Sequence, residues 1–171
     1  MDLKTIKLLA QYNETTNKEM NKYIAPLKKT QWIADFDTHF PSIFKICNHI
    51  YIGDYNWLKR FSKLRDFNYI KDGFFSGEIS FTMDAFKEPL EYIAKREFLD
   101  KAIVQFVNEL KENDLESNLR YTDSRGTEHN RNLGGLIIHM FNHQTHHRGM
   151  VSIYLEMLGI DNDYSNLFYL V

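Results

Sequence analysis

The chain has 171 residues, of which 43% are hydrophobic and 15% aromatic, enough for one domain with a sizeable core and too apolar for a disordered chain. Its formal charge of -2 gives no overall basic field for nucleic acid or an anionic membrane. The single cysteine, Cys47, excludes an internal disulfide and fits a reducing cytoplasm.

The first segment, from about Asp2 to Ala25, places Leu3, Ile6, Leu9, Ala10, Asn13, Met20, Tyr23 and Ile24 mostly three or four apart. That spacing predicts an amphipathic helix, and Pro26 closes it. It has neither the apolar run nor the cleavage site of a signal peptide, and no stretch is long enough for a membrane span. A connector with Trp32 and Phe36 leads to Pro41-Ser42, either of which suits the first turn of a second helix ending near Phe61. Residues 62–88 show no period. Lys71-Asp72-Gly73 and Ser76-Gly77 mark turns, and a connection this long reads as a lid or as short helical turns.

A third helix begins after Pro89 and runs to about Lys111, with Leu90, Ile93, Ala94, Phe98, Ala102, Val104, Phe106, Val107 and Leu110 as its buried stripe. Leu119 and Tyr121 alternate with polar residues before Asp123-Ser124-Arg125-Gly126, which predicts a short hairpin. Asn130 or Asn132 then caps a fourth helix that reaches about Leu158 and stops at Gly159. The apolar tail 167–171 is expected to pack on the bundle or on another subunit. The expected fold is all-α: one domain over 1–171, a four-helix bundle with a long crossover connection and a short hairpin before the last helix. Such bundles build metal sites from side chains on facing helices.

The last helix holds four of the seven histidines. At about 100° per residue, with His139 at zero, Leu136, Met140, Val151, Tyr154 and Leu158 span about 60° to 120°. His147 falls at about 80°, inside that apolar face, and His143 at about 40°, at its margin. His139 and His146 lie farther round. His143 and His147 are four apart, one turn along the same side, which lets two imidazoles bind one ion. The third ligand is expected from His49 on the second helix, where Ile46, Gly53 and Trp57 share its side and Gly53 leaves space beside the imidazole. Asp54, His139 and His146 are the supporting or pocket candidates. Cys47 reads as a core residue, His129 as exposed and His39 as a helix-entry or surface residue. Gln144 stands where a helical zinc peptidase needs its glutamate base, so peptidase chemistry is excluded.

The segment Asn48-His49-Ile50-Tyr51-Ile52-Gly53-Asp54-Tyr55-Asn56-Trp57-Leu58, paired with Phe141-Asn142-His143-Gln144-Thr145-His146-His147-Arg148-Gly149, resembles the DinB family of small bacterial bundles. Gln11-Tyr12-Asn13 and Asn17 resemble that family's first-helix signature. The resemblance spans nearly the whole chain. It implies a homodimeric four-helix bundle holding one divalent metal on His49, His143 and His147. It departs from the family pattern at Glu14-Thr15-Thr16 and at Met150. Superfamily relatives include thiol-dependent S-transferases, which implies activation of a low-molecular-weight thiol, or of water as in a hydrolase. Zinc or nickel is expected first, with iron and copper compatible. The catalytic base has no sequence candidate. The alternative is a non-enzymatic metal-binding stress-response protein. A cytoplasmic protein without nucleic-acid or membrane partners is expected.

Overall fold

A computed structural model describes residues 2–71 and 73–171. The long helices are α1 (Leu3–Ile24), α3 (Ile43–Phe61), α4 (Pro89–Glu109) and α6 (Leu133–Met157), with the one-turn α2 (Lys29–Trp32) and the short α5 (Glu112–Glu116) between them. Strands β1 (Asn118–Thr122) and β2 (Glu128–Asn132) form an antiparallel hairpin in which Asn118 faces Asn132 and Thr122 faces Glu128. A 3-10 turn covers Leu167–Leu170. Among the described residues no helix is long and apolar enough to cross a membrane.

Local chemistry sets the helix ends. Asp2 accepts from the Thr5 amide, Ser42 from the Lys45 amide and Asn132 from the Gly135 amide, so each supplies an acceptor to an otherwise unpaired first turn. Pro89 opens α4, where its missing N–H costs nothing. Gly159 ends α6 at φ 75°, a conformation that glycine adopts without a Cβ penalty. The four long helices pack in a ring, α1 and α3 each lying against both α4 and α6. Within the ring α3 is buried around nearly its whole circumference.

The expected stripe of α4 holds at Ala102, Phe106, Val107 and Leu110 but is displaced nearer the start of the helix. Leu90 is 66% exposed and Phe98 40%, and Ala94 also faces out. The buried face runs through Tyr92, Arg96, Leu99, Ile103 and Phe106. That run has the right period, but a charged residue sits in its middle. Arg96 goes inside because Asp54 and Asp100 meet it there.

The expected turn residue Asp72 lies outside the described residues. The rest of the 62–88 connection contains turns and no regular helix. It is strapped along α3 by two asparagines. Asn48 gives Nδ2–H to the Met83 carbonyl and accepts from the Ala85 amide, both at 2.8 Å. Asn56 does the same with the carbonyl and amide of Ile79, again at 2.8 Å. The tail stays largely in solvent: Phe168, Tyr169 and Val171 are 61%, 74% and 83% exposed.

Candidate metal centre

His49 of α3 and His143 and His147 of α6 meet at one point. One ligand atom from each lies within 4.8 Å of the others. The Nε2 atoms of His49 and His143 are 2.9 Å apart, and the ring centroids of the trio are separated by 4.4 to 4.9 Å. Helix geometry produces the convergence. The i,i+4 pair on α6 stacks on one side of that helix, and the adjacent helix α3 supplies the third ring. His147 is buried and His143 half-buried.

Gly53 makes room for this arrangement, though beside a different ring from the one expected. A Cβ there would meet His143 Cε1 at 3.3 Å. Gly53→Ala is therefore expected to have two effects of opposite sign. The metal-free protein gains up to about 1 kcal/mol, because alanine is the better helix residue and a free imidazole can yield. Zinc affinity, read by competition with a chromophoric chelator, falls about tenfold, because a coordinated ring cannot yield.

Aromatic walls enclose the trio. The Phe40 ring lies 4.6 Å from that of His49 and meets His147 edge-on at 5.1 Å. Phe81, carried by the 62–88 strap, lies 5.2 Å from His49. The loop bearing Phe40 is anchored by Tyr154, whose hydroxyl donates to the Phe40 carbonyl and whose ring stacks on Phe36. Burial is the main cause that holds all three imidazoles below their usual range, with the neighbouring histidines adding to it. His143 is brought down to about 3 and His147 to about 4, while His49 moves in the same direction with His39 as its added neighbour. All three are thus neutral at pH 7, the form that donates a lone pair.

The donor set fits a divalent ion. Two facing neutral imidazoles either share one N–H or offer two lone pairs to a common cation. His147, aimed at the same point, has a role only in the second arrangement. A tetrahedral site with bonds of about 2.0–2.1 Å places its nitrogens about 3.3 Å apart, inside the range spanned here. Nδ1 of His143 and Nδ1 of His147 are buried without a hydrogen-bond partner among the described residues. No cysteine or carboxylate of the described residues joins the cluster.

The supporting candidates lie apart from it. Asp54 is fully buried and pairs with Arg96 Nη1 at 2.6 Å, so its carboxylate serves the bundle interior rather than a histidine. His139 is exposed, edge-on to Trp57 and 6.0 Å from the His143 ring. His146 is exposed and edge-on to His147 at 4.8 Å. Both sit at the rim. His39 is exposed, Cys47 is fully buried with its thiol pushed up to about 12 by burial, and His129 bonds to Asp123 at 2.9 Å on the hairpin.

The periodicity missed a buried polar network behind the site. Arg96 bridges Asp54 and Asp100; Asp100 accepts from Asn13 and Asn17; Asn17 and Arg148 both donate to Gln144 Oε1. Every long helix contributes. The available signal was three polar i,i+4 pairs: Asn13/Asn17, Arg96/Asp100 and Gln144/Arg148.

Fold and cluster together define a helical-bundle protein with three histidines positioned to bind a metal ion. The sequence profile of the DinB family matches residues 1–167, and the chain belongs to that family. No curated protein matches it.

Proposed function

We propose that the chain is a divalent-metal-dependent enzyme in which His49, His143 and His147 hold one ion and leave a coordination position open for a low-molecular-weight thiol or for water. The observation that supports this is the convergence of three neutral imidazoles with no fourth protein ligand among the described residues. Structural zinc sites are closed by four protein ligands, whereas catalytic ones keep a position open. Zinc or nickel is the first choice, and imidazole also suits iron and copper.

A divalent ion in this position supplies the Lewis acidity that keeps a thiol or water deprotonated near neutral pH. The residues do the rest. His143 and His147, held neutral by burial, keep their lone pairs available without first losing a proton. Phe40 and Phe81 wall the site and limit the water around a bound nucleophile. The exposed imidazoles of His139 and His146 stand at the rim of the site. Gln144 has no acid–base chemistry and is committed to the buried network. In the thiol reaction, sulfur bonds to an electrophilic carbon as the leaving group departs with the bonding electrons. The superfamily's thiol-dependent S-transferases favour this route over hydrolysis. The same reading takes the chain as a cytoplasmic homodimer, with the exposed Phe168, Tyr169 and Val171 as apolar surface for a second copy to cover.

The test uses protein purified without an affinity tag. Elemental analysis is expected to find one divalent ion per chain. A small thiol and an aryl or alkyl halide should turn over, and a chelator should abolish turnover while shifting the melting temperature by only a few degrees. A large loss of melting temperature on chelation, with no turnover of thiol or ester substrates, supports the non-enzymatic alternative instead.

A further inference from the structure

Away from the histidines, α6 lines two more cavities. One, of about 180 Å³ between α1 and α6, is bordered by Leu9, Tyr12, Ile138, Phe141, Thr145 and Arg148. The other, of about 260 Å³, shares Tyr12, Thr145 and Arg148 and is completed by polar residues of the C-terminal segment, including Asn162 and Asp163. Arg148 is common to both and only 2% exposed.

The hydrogen bonds of Arg148 all go to neutral oxygens. Nη1 donates to Asn13, Asn17 and Gln144, and Nη2 to Thr145 Oγ1 at 3.3 Å. Nε donates to none of the described residues, and no carboxylate among them forms an ion pair with this guanidinium. Arg96, by contrast, is flanked by two carboxylates. Asp100 reaches Arg148 only through the amides of Asn13 and Asn17, and the Tyr12 ring lies 5.5 Å from its guanidinium carbon. With no carboxylate in direct contact, this planar guanidinium is suited to accept one in a two-point contact.

The two cavities differ in what they would do to an anion. Asp163 stands in the wall of the polar one, where its charge repels anions. The apolar one has no acidic residue in its lining. We propose that this apolar cavity is a second ligand site that takes a small monocarboxylate, its carboxylate on Arg148 and its short apolar body between Leu9, Ile138 and Phe141. A single guanidinium favours a monoanion over a dianion. The site is separate from the histidine cluster and does not depend on the function proposed for it.

Hexanoate titrated into the zinc-loaded full chain tests this, read by NMR at the Arg148 Nε–H and the Tyr12 ring. Saturable shifts are expected at both positions for hexanoate and not for hexan-1-ol. Arg148→Gln and Ile138→Trp should each weaken hexanoate at least tenfold. Ile138 is 42% exposed, so the tryptophan can crowd the cavity mouth without emptying the core, and this variant decides the matter where Arg148→Gln fails to fold. Equal binding of hexan-1-ol, an unchanged hexanoate affinity in Ile138→Trp, or shifts confined to the rings of His49, His143 and His147 would overturn the proposal.

Discussion

Replacing Arg96 with leucine is expected to cost about 3–5 kcal/mol, because it leaves Asp54 and Asp100 as buried acids without their cation. At about 2–4 °C per kcal/mol for a chain of this size, the melting temperature falls on the order of 10 °C. The deficit should grow with pH. Burial raises the Asp54 carboxyl to about 7 against the opposing pull of Arg96, from an ordinary 3.8. A carboxyl raised on folding contributes stability that is complete below its unfolded value and is lost as pH rises through its folded value. Removing Arg96 removes that opposing pull, so the variant should be nearest to wild type at about pH 4 and weakest above pH 7. The double variant Arg96→Leu with Asp54→Leu should recover much of the loss, since it takes out an acid as well as the base. Urea denaturation across that pH range measures all of this. A single variant within about 1 kcal/mol of wild type at pH 7 would show that the network is not held by its charges.

His143→Ala should lower zinc affinity by two to three orders of magnitude. Four-ligand zinc sites bind with apparent free energies of about 10–16 kcal/mol, or about 2.5–4 kcal/mol per ligand. Isothermal titration or chelator competition reads the loss, with His139→Ala as the control that stays near wild type. Acidification should reproduce it in the unmodified chain. The metal-free imidazoles of His143 and His147 are held at about 3 and about 4, below the ordinary 6.5, so protons compete poorly with the ion at mild acidity. Affinity is expected to change little between pH 7 and 5 and to fall steeply below about 4. Groups lowered in this way contribute stability that is present above 6.5 and is lost as pH falls through their folded values. A steep loss already at pH 6 would contradict the burial seen here.

Much of this arrangement was legible because it follows from local rules. Asp2, Ser42, Pro89, Asn132 and Gly159 each mark a helix end by a chemistry that needs no tertiary contact. The i,i+4 spacing of His143 and His147 fixes their common side in the same local way. His49 could be chosen as the third residue because it sits on a second apolar helix, with Ile46, Gly53 and Trp57 on its side. What stayed hidden depends on partners distant in the chain. Arg96 looks solvent-facing until Asp54 and Asp100 are placed beside it, and that misjudgement turned the stripe of α4 toward Leu90 and Phe98. Phe81 reaches His49 only because Asn48 and Asn56 bind the backbone of an irregular segment, and no periodicity records a side chain pairing with a strap. The space at Gly53 was legible, but which ring would use it was not.

On α6, His143 and His147 each precede a residue of the buried network, Gln144 and Arg148. The helix is therefore gripped on two neighbouring faces. It cannot roll about its axis or slide by a residue without breaking the hydrogen bonds of Arg148 to Asn13 and Asn17 on α1. The spacing and tilt of the two imidazoles are thus set from behind by uncharged amides. An ion that needs those rings splayed or flattened into a plane must work against that grip, whereas one content with the angle already provided need not. Imidazole by itself barely distinguishes zinc from nickel, iron or copper. Any such discrimination would come from Asn13 and Asn17, which belong to a different helix and lie outside the histidine cluster.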